Sequence, residues 1–366
     1  RPAIAGGVLL AVMETIADYG TVAYFGVQTF ATGIYTSWFS MADRAAAAQL
    51  ALVLLGFALT LAVLERTTRG AAQFHASGRR HERAAPAQLS GPHAWAAAAL
   101  CGIPVVLGFV LPAVLLLEMA VGSGQDLTSE RYLDFIRNSV TLAGAAAVVT
   151  VLAAVLIGFR QRLHPGRVSG AAGNLARIGY AVPGGVIAVG LLVPFAAFDN
   201  ALDAFMEANF GIDTGLLFTG SIWLLVAAYM IRFMAAALNA YEGGQATIHP
   251  HMDAVARTLG ATPLGLVRRV HMPLLRPSVL TALLIVFVDV MKELPATLIM
   301  RPFNFDTLAV QAHRLAADER LSGAAVPSLV IAAVGLLPVL LVCRSLGGRR
   351  EDIPHSTPAP IAEAVE

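Results

Sequence analysis

His249–Pro277, HPHMDAVARTLGATPLGLVRRVHMPLLRP, is a polar stretch set between two long apolar runs. That placement makes it a connecting loop, yet its punctuation is helical. Pro250 suits a first helical turn, Asp253 sits where a helix dipole is positive, and Gly260 supplies a C-terminal stop. Thr262 and Pro263 then read as N-cap and first turn of a second helix, which Pro273 is expected to end. Met252, Val255, Ala256 and Leu259 fall on one face of the first helix. Leu266, Val267 and Val270 share a face of the second, with Arg268 and Arg269 outward. A loop with amphipathic helices of its own and no span beneath it is expected to dock on something.

The rest of the chain is built for a bilayer. Of 366 residues, 57% are hydrophobic and 13% charged, against about 25% charged in soluble domains. The formal net charge of +1 argues against a nucleic-acid partner. Lys292 is the sole lysine, so no Gly-Lys-Ser/Thr phosphate loop exists and any ATP must be bound by another chain. Cys101 and Cys343 lie in separate apolar runs and suggest neither a disulfide framework nor a metal site. No cofactor motif and no nucleophile–base–acid arrangement is discernible, so no catalytic residue is assigned and the chain is not expected to be an enzyme.

Apolar runs long enough to cross about 30 Å of hydrocarbon fall near 3–25, 46–64, 95–118, 135–158, 176–198, 214–238, 278–300 and 326–346. The expected fold is therefore an all-α polytopic membrane helix bundle of about eight spans. Their connectors alternate in charge. Arg66, Arg69, Arg79, Arg80 and Arg83 mark 65–94, and Arg160, Arg162 and Arg167 mark 159–175. The 249–277 loop adds Arg257, Arg268, Arg269 and Arg276, and the tail adds Arg349 and Arg350. By contrast, 199–213 carries Asp199, Asp203, Glu207 and Asp213 with no Lys or Arg. The positive-inside rule puts the basic connectors, the 249–277 loop and both chain ends on the cytoplasmic side.

Sliding the chain by 275 positions lays Arg1-Pro2 on Arg276-Pro277, Glu14 and Asp18 on Asp289 and Glu293, Phe30 and Thr32 on Phe305 and Thr307, and Asp43 on Asp318. Residues 1–64 thus read as the last two spans of a first half, 65–94 as a cytoplasmic linker, 95–346 as a complete six-span second half, and 347–366 as a cytoplasmic tail. With no initiator methionine ahead of Arg1-Pro2, the sequence is expected to begin mid-protein and to lack the first half's own 249–277 counterpart.

Ionisable groups inside spans are costly and face a bundle interior or a water-filled path. Asp289, Lys292 and Glu293 share a face of the 278–300 run at i,i+3 and i,i+4 spacing, and Glu14 and Asp18 repeat the acidic pair. They line a cation pathway, or else form interhelical ion pairs in which Lys292 neutralises one acid. Carboxylate oxygens are hard ligands that suit a hard, highly charged ion. Pro183-Gly184-Gly185 is expected to kink its span or allow a tight crossing, and 199–213 to form a short surface helix or to touch an external partner. His249, His251 and His271 read as surface or interface histidines rather than metal ligands.

Ala254-Val255-Ala256, then Gly260, then Val270-His271-Met272-Pro273, resembles the EAA loop of ABC-importer permeases, where Glu-Ala-Ala, Gly and Ile-x-Leu-Pro recur at this spacing. The family's glutamate position holds Ala254, with Asp253 immediately before it. The resemblance implies a type I importer permease fold and a loop that sits in a cleft of separate ABC ATPase subunits, a dimer, with Asp253, Ala254, Ala256, Arg257, Gly260, Val270 and Pro273 as coupling residues. Glu14 to Val22 with Gly26 to Phe30, and Lys292 to Thr297 through Arg301 to Ala309, are further similar to fused ferric-iron permeases. Those work in the bacterial inner membrane with a periplasmic substrate-binding protein. Related permeases carry thiamine, polyamines or oxyanions. An oxyanion sits badly with acidic spans, whereas thiamine and polyamines are cations. An ion-coupled secondary transporter using Asp289 and Glu293 is the alternative of a different class.

Overall fold

A computed structural model describes residues 2–69, 90–125 and 129–347. The basic residues Arg79, Arg80 and Arg83 of the expected linker, and Arg349 and Arg350 of the tail, lie outside the described residues. Among the described residues every regular element is helical. In chain order they are α1 (Pro2–Ala17), α2 (Gly20–Tyr24), α3 (Phe30–Tyr35), α4 (Arg44–Arg69), α5 (Pro92–Val105), α6 (Leu111–Val121), α7 (Glu130–Leu163), α8 (Arg167–Ile178), α9 (Gly184–Phe210), α10 (Ile222–Gln245), α11 (Pro250–Thr258), α12 (Pro263–Leu266), α13 (Met272–Met291), α14 (Pro295–Met300), α15 (Leu308–Ala317) and α16 (Leu321–Gly347).

Helices occupy all eight expected apolar runs. Six stretches, 44–64, 92–121, 130–163, 184–210, 222–245 and 263–291, are each long and apolar enough to cross a membrane. Local chemistry sets several starts. The Ser221 and Thr307 side chains accept from the backbone N–H groups of Leu224 and Val310, and Thr29 forms a reciprocal cap with Thr32.

The centre is α7, α10 and α13 packed on one another. Ala143, Ala146, Ala147 and Ala154 of α7 are buried, as are Leu225, Ala228, Ala237 and Leu238 of α10 and Ala282 and Val286 of α13. Small side chains let helix backbones approach, so dispersion contacts accumulate where lipid offers no hydrophobic drive. With 34 residues, α7 is about 51 Å long at 1.5 Å per residue, and its two ends mark opposite sides of the bundle. Arg162 at one end binds the 249–277 loop, while at the other Asn138 donates to the Asp306 carbonyl and Ser139 accepts from Leu308 N–H.

The helix bounds recur at the offset of 275 found in the sequence. Shifted by that amount, 20–24 falls on 295–299 against the observed Pro295–Met300, and 44–69 falls on 319–344 against Leu321–Gly347.

Four expectations need correction. Pro273 does not end the second loop helix, because the chain stays helical from Pro263 to Met291. A π-turn at Val267–His271, in which Met272 N–H reaches the Val267 carbonyl, re-registers the backbone just before the proline's missing donor. The 278–300 run is not one helix either: α13 stops at Met291 and α14 starts at Pro295, since Pro295 has no N–H to donate to the Met291 carbonyl four residues back and its ring crowds that carbonyl. Pro183 is the N-cap of α9 rather than a kink within a span. Finally, 199–210 is no separate surface helix but the end of α9, where buried Asp199 accepts from the N–H groups of Phe218 and Thr219 and so fastens the following turn.

Candidate functional site

Two places gather the chemistry. The first is the 249–277 loop. His249 caps α11, its Nδ1 accepting from His251 N–H at 3.3 Å. Gly260 adopts φ +81°, with Gly260 N–H on the Arg257 carbonyl and Ala261 N–H on the Ala256 carbonyl, a left-handed stop that side chains disfavour. Thr262 Oγ1 then accepts from Gly265 N–H at 3.1 Å to start α12.

Asp253 points inward and is buried. Its Oδ2 accepts from Arg162 Nε at 2.6 Å, and its Oδ1 lies 2.8 Å from His271 Nε2. Arg162 also donates from Nη1 to the carbonyl of Gln245 (3.0 Å), the last residue of α10, and from Nη2 to that of Ile248 (2.9 Å) just beyond it. Burial pushes the Asp253 carboxyl up, but the hydrogen bonds from Arg162 and His271 outweigh it and hold the group below the usual aspartate range. One guanidinium therefore clamps α7, α10 and α11 together. His271 is not the surface histidine its polar neighbours imply: it is 1% exposed and meets Phe159 edge-on at 5.4 Å.

With its acid turned inward, the loop shows apolar atoms outward. Met252, Val255, Leu259 and Leu264 are exposed, the last two at 83% and 76%. Ala254, Arg257, Gly260 and Pro273 are exposed around them, and Ala256 and Val270 are half-buried. A cluster of large apolar side chains on a polar loop is a contact surface.

The second place is a cavity of about 290 Å³ where α1, α10 and the α13–α14 break meet. Glu14, Asp18, Asp289, Lys292 and Glu293, on two separate stretches of chain, all line it. Positions related by the offset of 275 face it in pairs: Glu14 with Asp289, Ala17 with Lys292, and Asp18 with Glu293. Positions related by that offset therefore share one space.

The five do not behave alike. Glu293 is buried and turned away from Lys292, because the helix has already ended. Its carboxylate accepts from Ala296 N–H (3.0 Å) and from Thr297 N–H (3.2 Å) and Oγ1 (3.0 Å), capping α14. Arg232 Nη1 stands 3.8 Å from Glu293 Oε1. Gly184 makes this meeting sterically feasible, since a Cβ there would lie 2.5 Å from both Arg232 Nη1 and Glu293 Oε1. Lys292 pairs instead with Asp289 at 3.0 Å, its side chain 62% exposed, and such a pair is worth only ~0–1 kcal/mol. Tyr180 donates its hydroxyl to Glu14 Oε1 at 3.3 Å. Arg232 and Tyr180 complete the lining, which carries four carboxylates against two cations.

Comparison with known proteins gives this geometry a family. Residues 151–347 match the family described as "Binding-protein-dependent transport system inner membrane component". Among curated relatives, the Fe(3+)-transport system permease protein FbpB 2 of Haemophilus influenzae is 22% identical over 346 residues, covering 93% of this chain and 65% of the relative, so the chain spans just under two thirds of that protein. The molybdate/tungstate transport system permease protein WtpB of Thermococcus kodakarensis is 26% identical over 170 residues, covering 46% of this chain and 60% of the relative. A bacterial ABC transporter that imports the acidic polysaccharide alginate is similar in fold, with a TM-score of 0.53 at 18% identity, over 70% of this chain and 96% of that one. The chain thus belongs to the family of inner-membrane components of binding-protein-dependent transport systems.

Proposed function

We propose that this chain is the membrane-spanning subunit of an ATP-driven importer of ferric iron, in which the carboxylate-lined cavity is the cation's path. One observation carries the reading: Glu14, Asp18, Asp289 and Glu293 face a single space and outnumber the cations there. Hard oxygen ligands and surplus negative charge favour a small, highly charged cation. An anion would need Lys292 and Arg232, and both already face carboxylates. The similarity that spans nearly the whole chain is to an Fe(3+) permease, whereas that to the molybdate/tungstate permease spans less than half.

The loop at 249–277 takes the role of docking element for a separate ATPase dimer. Its grip is apolar, through Met252, Val255, Leu259 and Leu264, because the acid that could reach a partner is committed to Arg162. A periplasmic binding protein delivers the ion on the opposite face. Residues 1–64 and 95–346 act as parts of two fused permease halves joined by 65–94, with the loop and both chain ends on the cytoplasmic side; the recurrence of helix bounds at the 275 offset supports this. Covalent chemistry belongs to the ATPase.

The test is uptake by the full-length protein reconstituted with its ATPase and binding protein, offering ferric iron, thiamine, a polyamine and molybdate in parallel. ATP-dependent accumulation of iron alone is expected. Uptake without the ATPase would instead identify an ion-coupled carrier, and preference for molybdate would overturn the cation path. Placing an acid at Leu259 or Leu264 should weaken ATPase binding by about 10- to 100-fold, since burying one leucine contributes roughly 1.5–3 kcal/mol.

A further inference from the structure

A second cavity, about 540 Å³, lies beside the first and is lined by residues between Tyr19 and Leu50. An aromatic pair lines it beside residues of the first. Tyr19 and Tyr35 stack with ring centroids 3.8 Å apart and planes 26° from parallel. Tyr19 follows Asp18, which lines the acidic cavity, and the Tyr35 hydroxyl donates to the carbonyl of Pro295, which lines it too. Both tyrosines line the second cavity. The stack thus bounds the second space on the side where it adjoins the first through Asp18 and Pro295.

Its position along the bundle follows from α7. The Tyr19 ring lies 5.4 Å from His313 of α15, and α15 begins at the end of α7 remote from the 249–277 loop. The second cavity thus lies toward the face opposite that loop.

Its position across the bundle follows from the repeat. The offset of 275 pairs Tyr19 with Leu294 and Gly20 with Pro295, and these pairs meet: a Cβ on Gly20 would stand 3.4 Å from Leu294 Cδ2. The stack thus stands beside a contact between segments related by the offset. It is nevertheless one-sided, since the counterparts of Tyr19 and Tyr35 are the aliphatic Leu294 and Val310. Gly185 makes room for the Tyr35 ring, a Cβ there lying 3.4 Å from Tyr35 Cε2 and from its hydroxyl. The Gly184-Gly185 pair thus seats the acidic network with one residue and the stack with the next.

We propose that Tyr19 and Tyr35 are the gate of this path on the face opposite the 249–277 loop, latched by the Tyr35 hydroxyl on the Pro295 carbonyl. The proposal rests on the transport reading of the acidic cavity. Because Pro295 opens the short helix that Glu293 caps, a movement of the α13–α14 break would pull away the latch's acceptor. An aromatic gate also suits a cation, whose passage over ring faces is electrostatically favourable.

Accessibility tests this without any assumption about the substrate. In the full-length transporter with Cys101 and Cys343 replaced by serine, Ala17→Cys places a thiol on the acidic cavity while leaving every carboxylate in place. A membrane-impermeant, positively charged thiol reagent is then applied from the face opposite the loop, with Ser40→Cys in the second cavity as the freely labelled reference. Ala17→Cys should label slowly, and Tyr19→Ala should speed it by roughly tenfold, the kinetic equivalent of losing one aromatic pair. Tyr19→Phe should keep the slow rate. Tyr35→Phe keeps the ring and removes only the latch, so it should speed labelling several-fold, and it decides the matter if Tyr19→Ala does not assemble. Labelling of Ala17→Cys at the reference rate with both tyrosines present, or no acceleration in Tyr19→Ala or Tyr35→Phe, would overturn the gate. Failure of iron uptake with tyrosine-dependent labelling intact would count against the substrate and leave the gate standing.

Discussion

Replacing Asp253 by asparagine separates holding the coupling loop from gripping the ATPase. The substitution preserves size but removes the charge that accepts from Arg162 and His271 at 2.6 and 2.8 Å. Each charge-assisted hydrogen bond of this kind is worth about 1.5–3 kcal/mol, and asparagine can keep an oxygen toward only one of the two donors. Both side chains of the Arg162–Asp253 pair are mostly buried, at 15% and 12% exposure. The guanidinium is therefore left undercompensated, and a net loss of roughly 2–3 kcal/mol in local stability follows. That raises the population of the released loop by about 30- to 150-fold.

Hydrogen exchange of the α11 amides should report this factor directly, while exchange in the middle of α7 stays as it was. Because the exposed Met252, Val255, Leu259 and Leu264 are untouched, the ATPase should still bind and hydrolyse ATP, but iron moved per ATP should fall. Arg162→Lys should reproduce the defect in part, since an ammonium cannot hold Asp253 and both carbonyls in one planar fork. The pH dependence has a fixed sign. A carboxyl held below its ordinary value contributes stability above the unfolded pKa, about 3.9, and loses it as pH falls through the folded value. Protection of α11 should thus be flat from neutrality to about pH 5, drop on further acidification, and lack that drop in Asp253→Asn. Unchanged exchange together with unchanged coupling would refute the clamp.

Gly260→Val forces a β-branched side chain to φ +81° at a cost of about 1–3 kcal/mol, so α12 should turn away and the ATPase should co-purify poorly; normal co-purification and transport would remove the loop from coupling. Asp289→Asn should assemble normally and lose iron uptake, because its pair with exposed Lys292 holds little structure, and rescue of assembly by Lys292→Met would show an ion pair in place of a path. Glu293→Gln should lower thermal stability first, by about 1–3 kcal/mol for a disturbed buried cap, since its carboxylate accepts three hydrogen bonds from Ala296 and Thr297; a stable variant lacking only transport would place Glu293 in the path proper. Pro273→Ala returns a backbone donor and should let the π-turn relax toward α-helix, withdrawing His271 from Asp253 and raising α11 exchange; unaltered exchange would show that the turn has another cause.

Features written in neighbouring residues were legible in the sequence. The apolar runs, the stop at Gly260 and the cap at Thr262 each need only a few adjacent side chains; helices occupy every run, six stretches among the described residues are long enough to cross a membrane, and the stop and the cap stand in the structure. The shared lining of Glu14, Asp18, Asp289, Lys292 and Glu293 was reachable through spacing and repeat. Features decided by distant chain were not. His271 sits among polar residues and reads as surface, but Asp253 and Phe159 bury it. Glu293 reads as a partner of Lys292 until the helix break turns it toward Arg232, in a space that exists because residue 184 has no Cβ. Two local signals were nevertheless present. Pro295 announces a break in the turn before it, where its missing N–H would have met Met291, and Arg232 is the sole charged residue of the 214–238 run, which by itself marks it as functional.

The continuity of the helix through Pro273 changes how the two sites can communicate. Had the proline ended a loop helix, motion at the docking surface would have reached the cavity only through side-chain contacts. Instead 263–291 is one rod, about 44 Å long at 1.5 Å per residue. Leu264 stands exposed near its start, and Asp289 lines the cavity near its end. Beyond Met291, three residues lead to Pro295, whose carbonyl holds the Tyr35 hydroxyl. The rod has a built-in flexure in the π-turn at Val267–His271, and there the Asp253–Arg162 clamp is fastened through His271. A push on the loop therefore has two fates. With the clamp closed, α7, α10 and the rod move as a body and the displacement arrives at the α13–α14 break. With the clamp open, the π-turn absorbs it. On the proposed function, docking and coupling should be separable for this reason: the first would reside in the outward apolar face, the second in one inward carboxylate.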